Sequence, residues 1–264
     1  MRFHYMERGS ATEIADLKQL TFDLDAVGYY SMLLTYHSKN YDFLTKSLLA
    51  ASNDVKMKFM IAMRTYAISP EYMAMIARSY NESFPDKLAL NVLSGDLHEE
   101  ETSVEDIVMF GDKISTPSDR LPYTLEWIEK FLKISSQWYT PEIMLAGHSD
   151  ATRNMCNKFG FTHMSALNMH LDHLKKPDRI INKEQLVAGA MLIRETEQEA
   201  IDFLTTHNGE RSIQWTIHGT AESVKKQILD LEQAGVTDLM ISKNQYDNEH
   251  QRVHELVKTM IAQK

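Results

Sequence analysis

The sequence predicts an α/β fold, a closed (β/α)8 TIM barrel, because strand-like and helix-like segments alternate along the whole 264-residue chain. Eight apolar runs have the length and composition of buried strands. A regular strand–helix alternation favours a parallel sheet, and eight such units close into a barrel. The predicted strands are residues 2–5, 30–35, 58–64, 87–93, 142–147, 161–167, 185–194 and 237–242.

Helices are predicted between these strands, at residues 10–26, 69–84, 150–159, 220–234 and 248–262. Ser69 followed by proline is typical of a capped helix start, and Thr196 with Glu199 has the spacing of a capping box. A left-handed helix end favours glycine, which stands at three of the helix–strand joints: Gly28, Gly160 and Gly235.

In two regions the spacing of apolar residues matches neither a helix nor a strand. We expect residues 98–122, after the fourth strand, to form an acidic excursion at the barrel rim, and residues 208–218 to be irregular. No proline-rich linker or internal repeat divides the chain, so the sequence is interpreted as one domain spanning residues 1–264.

Charge and cysteine content exclude several classes of function. Twenty-eight basic and 37 acidic residues give a net charge of −9, with no basic stripe to neutralise nucleic-acid phosphates or anionic lipid. The single cysteine, Cys156, excludes an internal disulfide and a cysteine metal cage. With no apolar run of membrane-spanning length, we expect a cytoplasmic protein with neither nucleic-acid nor membrane partners.

Residues 56–96 have the pattern of a complete βαβ unit. Because a parallel crossover brings both strand ends to one edge, we expect Arg64, Thr65, Ser94 and Gly95 to gather at the carboxyl-terminal rim. This rim is where α/β barrels bind their ligands.

Five segments carry a wider similarity: GYYSMLLTYH at 28–37, KMKFMIAMRTYAISPEYMAMIARSY from 56, LALNVLSGD at 88–96, PEIMLAGHSDATRNMCNKFGF at 141–161 and GTAESVKKQILDLEQAGVTDLMIS at 219–242. In this order and spacing they resemble the bacterial luciferase-like flavin monooxygenases, the superfamily of luciferase, alkanesulfonate monooxygenase and deazaflavin-using relatives. The resemblance covers nearly the whole chain.

The resemblance implies a monooxygenase that takes reduced FMN (FMNH2) from a separate flavin reductase and uses O2 to oxidise a small organic substrate. Two alternatives stay open: a non-catalytic flavin-binding or partner-subunit protein, and an oxidoreductase that uses the deazaflavin coenzyme F420. The resemblance also implies a homodimer formed through outer helices, in the region of residues 51–59 and 69–84.

The segment AGHSDAT matches the phosphate site of the family, which implies FMN binding by Gly147, His148, Ser149 and Thr152. Physical chemistry favours the same site, because a glycine and two hydroxyl residues at a helix start offer unpaired amides and a favourable dipole to an anion. The alternative is that Ser149 only caps the helix.

Ser94 matches a family position near the flavin or its phosphate, and Arg120 matches a second, rim-exposed basic position. Arg120 is also interpretable as a solvated loop charge. Arg64 ends an apolar strand, so we expect an anionic or carbonyl partner for it, either the flavin or a neighbouring carboxylate.

His37 matches the histidine that follows the second strand in luciferases, which implies acid–base catalysis at the flavin. The alternative is a loop histidine bonded to water. The alkanesulfonate branch has a cysteine, an arginine, a histidine and a tyrosine at four positions where this chain differs, so desulfonation is not expected. Those positions hold Asn40, Ala188, Ala190 and Asn244.

The long lid insertion of the family is reduced here to residues 208–218, with Arg211 and Trp215 as its notable side chains. A short lid predicts a more open pocket. His163, His170, His173 and Asp172 suggest a metal site only weakly, because their spacing matches no familiar ligand set, and no metal is expected.

Overall fold

The computed structural model describes residues 1–7, 14–35, 42–93, 117–208, 210–242 and 250–263. Within these ranges, eight parallel strands close into the predicted barrel, with the last strand paired to both the first and the seventh. The barrel strands are β1 (Arg2–Glu7), β2 (Ser31–Leu34), β3 (Lys58–Arg64), β4 (Leu88–Leu93), β5 (Glu142–Ala146), β6 (Thr162–Ala166), β7 (Gln185–Ile193) and β9 (Asp238–Ser242).

Helices surround the barrel: α1 (Ile14–Val27), α2 (Phe43–Ala51), α3 (Pro70–Ser83), α4 (Pro117–Ser135), α5 (Asp150–Phe159), α6 (Leu167–Leu174), α7 (Glu197–Asn208), α8 (Ala221–Gln233) and α9 (His250–Ala262). Ser69 caps α3 by accepting a hydrogen bond from the Tyr72 amide. Thr196 and Glu199 form the predicted capping box, each side chain accepting the other's amide. None of the described helices is long and apolar enough to cross a membrane.

Two predictions about irregular regions are wrong. A short strand, β8 (Thr216–Gly219), pairs with the second half of β7, and a 3₁₀ turn (Glu210–Trp215) leads into it. Helix α4 begins at Pro117, inside the segment 98–122 that was expected to be irregular. Residues 94–116 lie outside the described part of the chain.

Apolar side chains form two layers. The larger one lies between the strands and the helices, and the smaller one fills the middle of the barrel. Methionine contributes to both layers, because its flexible side chain fills irregular space. The interior layer contains Leu33, Met60, Ala89, Met144, Leu186 and Met240.

The amino-terminal end of the barrel is closed by a polar network around Asp238, which is fully buried. Its carboxylate accepts hydrogen bonds from His4 at 2.8 Å and from Arg2. Arg2 also reaches Glu142 at 3.1 Å, and Lys58 lies 3.6 Å from the same carboxylate. Ligand access is therefore left to the carboxyl-terminal end.

Candidate active site at the carboxyl-terminal mouth

The side chains that face the barrel axis at the carboxyl-terminal ends of β5, β6 and β7 are small. Because side chains alternate along a strand, Ala146 faces the same way as the interior residue Met144. Ala166 pairs with Ala188 across β6 and β7. Ala146, Ala166, Ala188 and Ala190 are all half-buried. The described side chains that line this part of the mouth are therefore small.

Asn91 on β4 brings an unsatisfied polar group to this interior. The residue is 2% exposed and pairs with Met144 and Ala62, whose side chains face the axis. Its Oδ1 has no hydrogen-bond partner in the described part of the chain. A buried acceptor of this kind normally has a donor, which a bound ligand can supply. The sequence signal was a single polar residue in the apolar run LALNVL.

The loop after β5 begins helix α5, as predicted. Ser149 is the N-cap residue, and its Oγ accepts the Thr152 amide at 3.1 Å. The hydroxyls of Ser149 and Thr152 lie 2.9 Å apart. The amides of Asp150 and Ala151 have no acceptor among the described residues. Since Ser149 is exposed, its hydroxyl and these amides can bind an anion together.

The backbone amide and the backbone carbonyl of Gly147 both form hydrogen bonds with residues of strand β6. The Gly147 amide donates to the Met164 carbonyl at 3.2 Å, and its own carbonyl accepts from His163 Nε2 at 2.8 Å. A Cβ atom on Gly147 would lie only 2.8 Å from Thr152 Oγ1. The loop therefore packs so closely against α5 that only glycine fits.

A buried arginine lies behind this loop. Arg153 is 1% exposed, and its Nη1 donates to His163 Nδ1 at 3.2 Å. Because a carbonyl can only accept, the bond to Gly147 assigns the proton of His163 to Nε2. Burial, and then the charge of Arg153, lower the pKa of His163 to about 4. The histidine is therefore neutral at physiological pH.

Arg153 is not among the residues predicted from the sequence, and it is buried on the same face of α5 as Cys156. Its spacing of three residues from Cys156 was the available signal. Burial lowers the pKa of this guanidinium.

Arg64 lies at the rim, at the end of β3, and its Nη1 donates to the Tyr66 hydroxyl at 2.6 Å. Thr65 was expected at the same rim, but its hydroxyl turns outward and lies 3.2 Å from that of Thr124 on α4. Position 120 lies in the first turn of α4 rather than in a loop, and its side chain lies outside the described part of the chain.

Several predicted positions fall outside the described residues: His37, Asn40, Ser94, Gly95 and Asn244. The side chain of Arg211 is also outside. Trp215 is 45% exposed at the end of the 3₁₀ turn. This turn is held by Ser212, whose hydroxyl donates to the Leu204 carbonyl at 3.2 Å, so the segment packs on α7.

In the described residues, no group of three or more histidine, cysteine or acidic side chains is arranged to hold a metal ion. His163 and His173 instead bind backbone carbonyls, the latter that of Ile180 at 3.0 Å. Asp172 pairs with Lys175 at 2.9 Å.

No protein-family model and no curated protein matches this sequence. Solved structures do match. The structure described as apo-MsnO8 has a TM-score of 0.76 and 14% identity, with 99% of this chain and 98% of that chain covered. The oxygenating constituent of 3,6-diketocamphane monooxygenase from Pseudomonas putida, in complex with FMN, has a TM-score of 0.69 and 13% identity, covering 98% and 96%.

A third similar structure is the coenzyme F420 dependent tetrahydromethanopterin reductase from Methanopyrus kandleri, with a TM-score of 0.69, 13% identity and 97% of both chains covered. Each match covers nearly the full length of both chains. At these identities the similarity shows the fold, and the chain has the (β/α)8 barrel that its sequence predicts.

Proposed function

We propose that this protein is a flavin-dependent monooxygenase that uses reduced FMN and O2 to oxidise a small organic substrate. One oxygen atom enters the substrate, the other leaves as water, and reduced FMN becomes oxidised FMN. The observation that carries the proposal is the anion-binding loop from Gly147 to Thr152, which adjoins a barrel mouth lined by small side chains.

The donor set fits the phosphate of FMN. Ser149 supplies an exposed hydroxyl and the start of α5 supplies amides, while Gly147 allows the close packing of the loop. We place the ring system beside the small side chains of Ala146 and Ala188, where Asn91 offers a buried acceptor. Reduced flavin supplies the electrons for O2 activation, and the protein binds, orients and shields it.

The remaining site residues are part of the proposal. We assign His37 as the catalytic acid–base group, and Ser94, Arg120 and His148 as further cofactor-binding residues, from the sequence resemblance. Arg64 is added to the cofactor-binding residues because it ends an apolar strand at the rim. A separate flavin reductase would supply the reduced cofactor. The FMN complex of the similar Pseudomonas putida protein supports FMN as the cofactor.

One observation favours a second candidate, a non-catalytic flavin-binding protein. At the carboxyl ends of β5, β6 and β7, the described inward-facing side chains are alanines, which carry no acid–base group. An F420-dependent oxidoreductase is a third candidate, because similar structures include a coenzyme F420 dependent reductase.

We also propose that the whole chain forms one domain and that two copies pair through outer helices. The closure of β1 on β9 supports the first point, since the two ends of the chain share one sheet. Tyr72 and Met75 support the second, because these large side chains are 58% and 57% exposed on α3. The buried free thiol of Cys156 agrees with a cytoplasmic location.

The decisive experiment is to titrate the purified protein with FMN, riboflavin and coenzyme F420, each oxidised and reduced, under anaerobic conditions. Tight binding of reduced FMN, followed by O2 consumption and substrate oxidation when a flavin reductase is added, is the expected result. Binding of FMN without any O2-dependent turnover would favour the non-catalytic candidate. Failure to bind FMN in either state would overturn the proposal.

A further inference from the structure

Arg153 is a buried cation with no acidic partner close to it. Its guanidinium forms no ion pair with a described carboxylate, and its Nε has no hydrogen-bond partner among the described residues. Asp150, one turn earlier on α5, is exposed, so water screens its attraction. Burying an unpaired charge is costly, and a site that keeps one usually meets an opposite charge in function.

Two hydrogen bonds connect Arg153 to the anion-binding loop. Arg153 Nη1 donates to His163 Nδ1 at 3.2 Å, and His163 Nε2 donates to the Gly147 carbonyl at 2.8 Å. Because the peptide bond is planar and trans, fixing this carbonyl toward β6 turns the next amide N–H the opposite way. The arginine and histidine therefore determine the orientation of the first peptide of the loop.

We propose that Arg153, acting through His163, is a positioning residue that makes this loop prefer a phosphomonoester dianion over an uncharged ligand. The inference rests on the proposed function and adds to it the group that sets the choice between FMN and riboflavin. The charge of Arg153 acts on the phosphate through the protein interior, where it is screened less than at the surface. His163 connects the guanidinium to the Gly147 carbonyl through the hydrogen bonds of its two ring nitrogens. Because its pKa is lowered, His163 is neutral and adds no charge of its own.

The test compares the affinities of the apo protein for FMN and riboflavin, which differ only in the phosphate. The variants are Arg153→Met, which removes the charge and the donors, and Arg153→Lys, which keeps the charge. Arg78→Met is the matched control, because Arg78 is exposed on α3 and pairs with Glu82. Circular dichroism and thermal unfolding establish that each variant is folded.

We expect the wild type to bind FMN more tightly than riboflavin. Arg153→Met should weaken FMN binding roughly tenfold or more and change riboflavin binding less than about twofold, as expected for a buried charge near the phosphate. Arg153→Lys should recover most of the preference, and Arg78→Met should keep all of it. An unchanged FMN-to-riboflavin ratio in Arg153→Met would overturn this inference and leave the proposed function intact. Wild-type protein that binds neither flavin would overturn the proposed function itself.

A second measurement keeps the inference testable if Arg153→Met does not fold. Nitrogen-15 NMR of the wild-type histidines should show His163 as the Nε2–H tautomer, neutral from pH 5 to 8. Adding FMN should shift the His163 nitrogen signals, while riboflavin should not. His163 signals that respond equally to both ligands, or to neither, would contradict the link between Arg153 and the phosphate.

Discussion

Opposite charges stand at neighbouring turns of α5. Asp150, in the first turn, is exposed and favourable to the helix dipole, while the Arg153 side chain is buried behind the loop. A phosphate at the helix start is attracted by the arginine and repelled by the aspartate. The loop therefore carries one charge that favours an anion and one that opposes it.

This opposition gives a prediction for Asp150→Asn. We expect the affinity for FMN to rise about threefold at low salt, since surface charge interactions contribute about 0.5–1 kcal/mol. Riboflavin affinity should stay constant, and the gain should shrink as salt is added. Asp172→Asn, which removes an exposed carboxylate on α6, is the matched control and should leave both affinities unchanged.

Buried histidines make folding stability depend on pH. Burial is the main cause that lowers the pKa of His163, His170 and His254 to about 4 each, below the 6.5 of an unfolded chain. Between pH 6.5 and pH 4 the unfolded state binds protons that the native state does not. We therefore expect a constant free energy of unfolding above about pH 7 and a progressive loss below pH 6.5, by up to about 3 kcal/mol for each histidine.

His170 isolates one of these contributions, because neither of its ring nitrogens has a partner among the described residues. His170→Leu replaces the ring with an apolar side chain of similar volume and should reduce the pH slope by about one proton, measured by urea unfolding at pH 7.5 and pH 5. Its stability at pH 7.5 should change little, since no hydrogen bond to a described residue is lost. The same slope in the variant and the wild type would show that His170 does not titrate as its burial requires.

Site residues with a local sequence signal could be predicted, whereas those that depend on partners distant in sequence could not. Ser149 was predicted because a cap and a glycine are local signals. Arg153 and Asn91 act through burial and through partners that are distant in sequence, such as His163. Their partners become visible only when β4, β6 and α5 are packed together. Whether His37 is catalytic stays a prediction.

At the scale of elements, two glycines flank α5 at positive φ, Gly147 at +157° and Gly160 at +71°, so backbone strain is common to their substitutions and the space around the added methyl group distinguishes them. Gly147→Ala places a methyl group 2.8 Å from Thr152 Oγ1, so Thr152 or the loop must move. Gly160 ends α5 at φ +71°, and a methyl group there meets nothing within 4 Å. The two positions flank the same helix, which makes them a matched pair.

We expect Gly147→Ala to weaken FMN binding more than tenfold, because the displaced loop no longer presents its hydroxyls and amides together. Gly160→Ala should cost about 1 kcal/mol of stability, the strain of a left-handed residue, and leave FMN affinity unchanged. Calorimetric titration with FMN and urea unfolding measure the two effects. Equal losses of affinity in both variants would mean that helix position, rather than loop shape, controls binding.

The eight barrel strands were predictable because each is an apolar run bounded by polar or glycine residues. Strand β8 was not, since its four residues, TIHG, have no apolar run and it is defined by pairing with the bent second half of β7. Helix α4 was missed in part because it contains Pro122, which usually marks a break. The glycine helix ends were confirmed by φ values of +97°, +71° and +96°.

At the scale of the whole molecule, the two ends of the barrel have different chemistry. The amino-terminal end is closed by buried ion pairs around Asp238, while the carboxyl-terminal end has small side chains and the anion-binding loop. The strands between them are filled by apolar residues. In (β/α)8 barrels this division separates residues for stability from residues for activity.

Asp238→Asn tests this division. Burial alone would raise the pKa of Asp238, but hydrogen bonds from His4, Arg2 and Thr237 outweigh it and hold the pKa well below its usual range. The neutral amide loses these charge-assisted bonds, and we expect a loss of about 3 kcal/mol, as for other buried ion pairs. Glu184→Gln is the control, because Glu184 lies 3.6 Å from the same arginine but is 44% exposed. It should cost less than about 1 kcal/mol.

If binding and stability are located at opposite ends, Asp238→Asn should keep the FMN affinity of the wild type at a temperature where the variant is fully folded. Gly147→Ala should show the reverse pattern, with weak binding and a smaller loss of stability. The two variants should therefore have opposite effects, one on stability and the other on FMN binding. Calorimetric titration and urea unfolding on the same samples measure both properties. Weak FMN binding in folded Asp238→Asn would mean that the network at the amino-terminal end also shapes the cofactor site through the barrel interior.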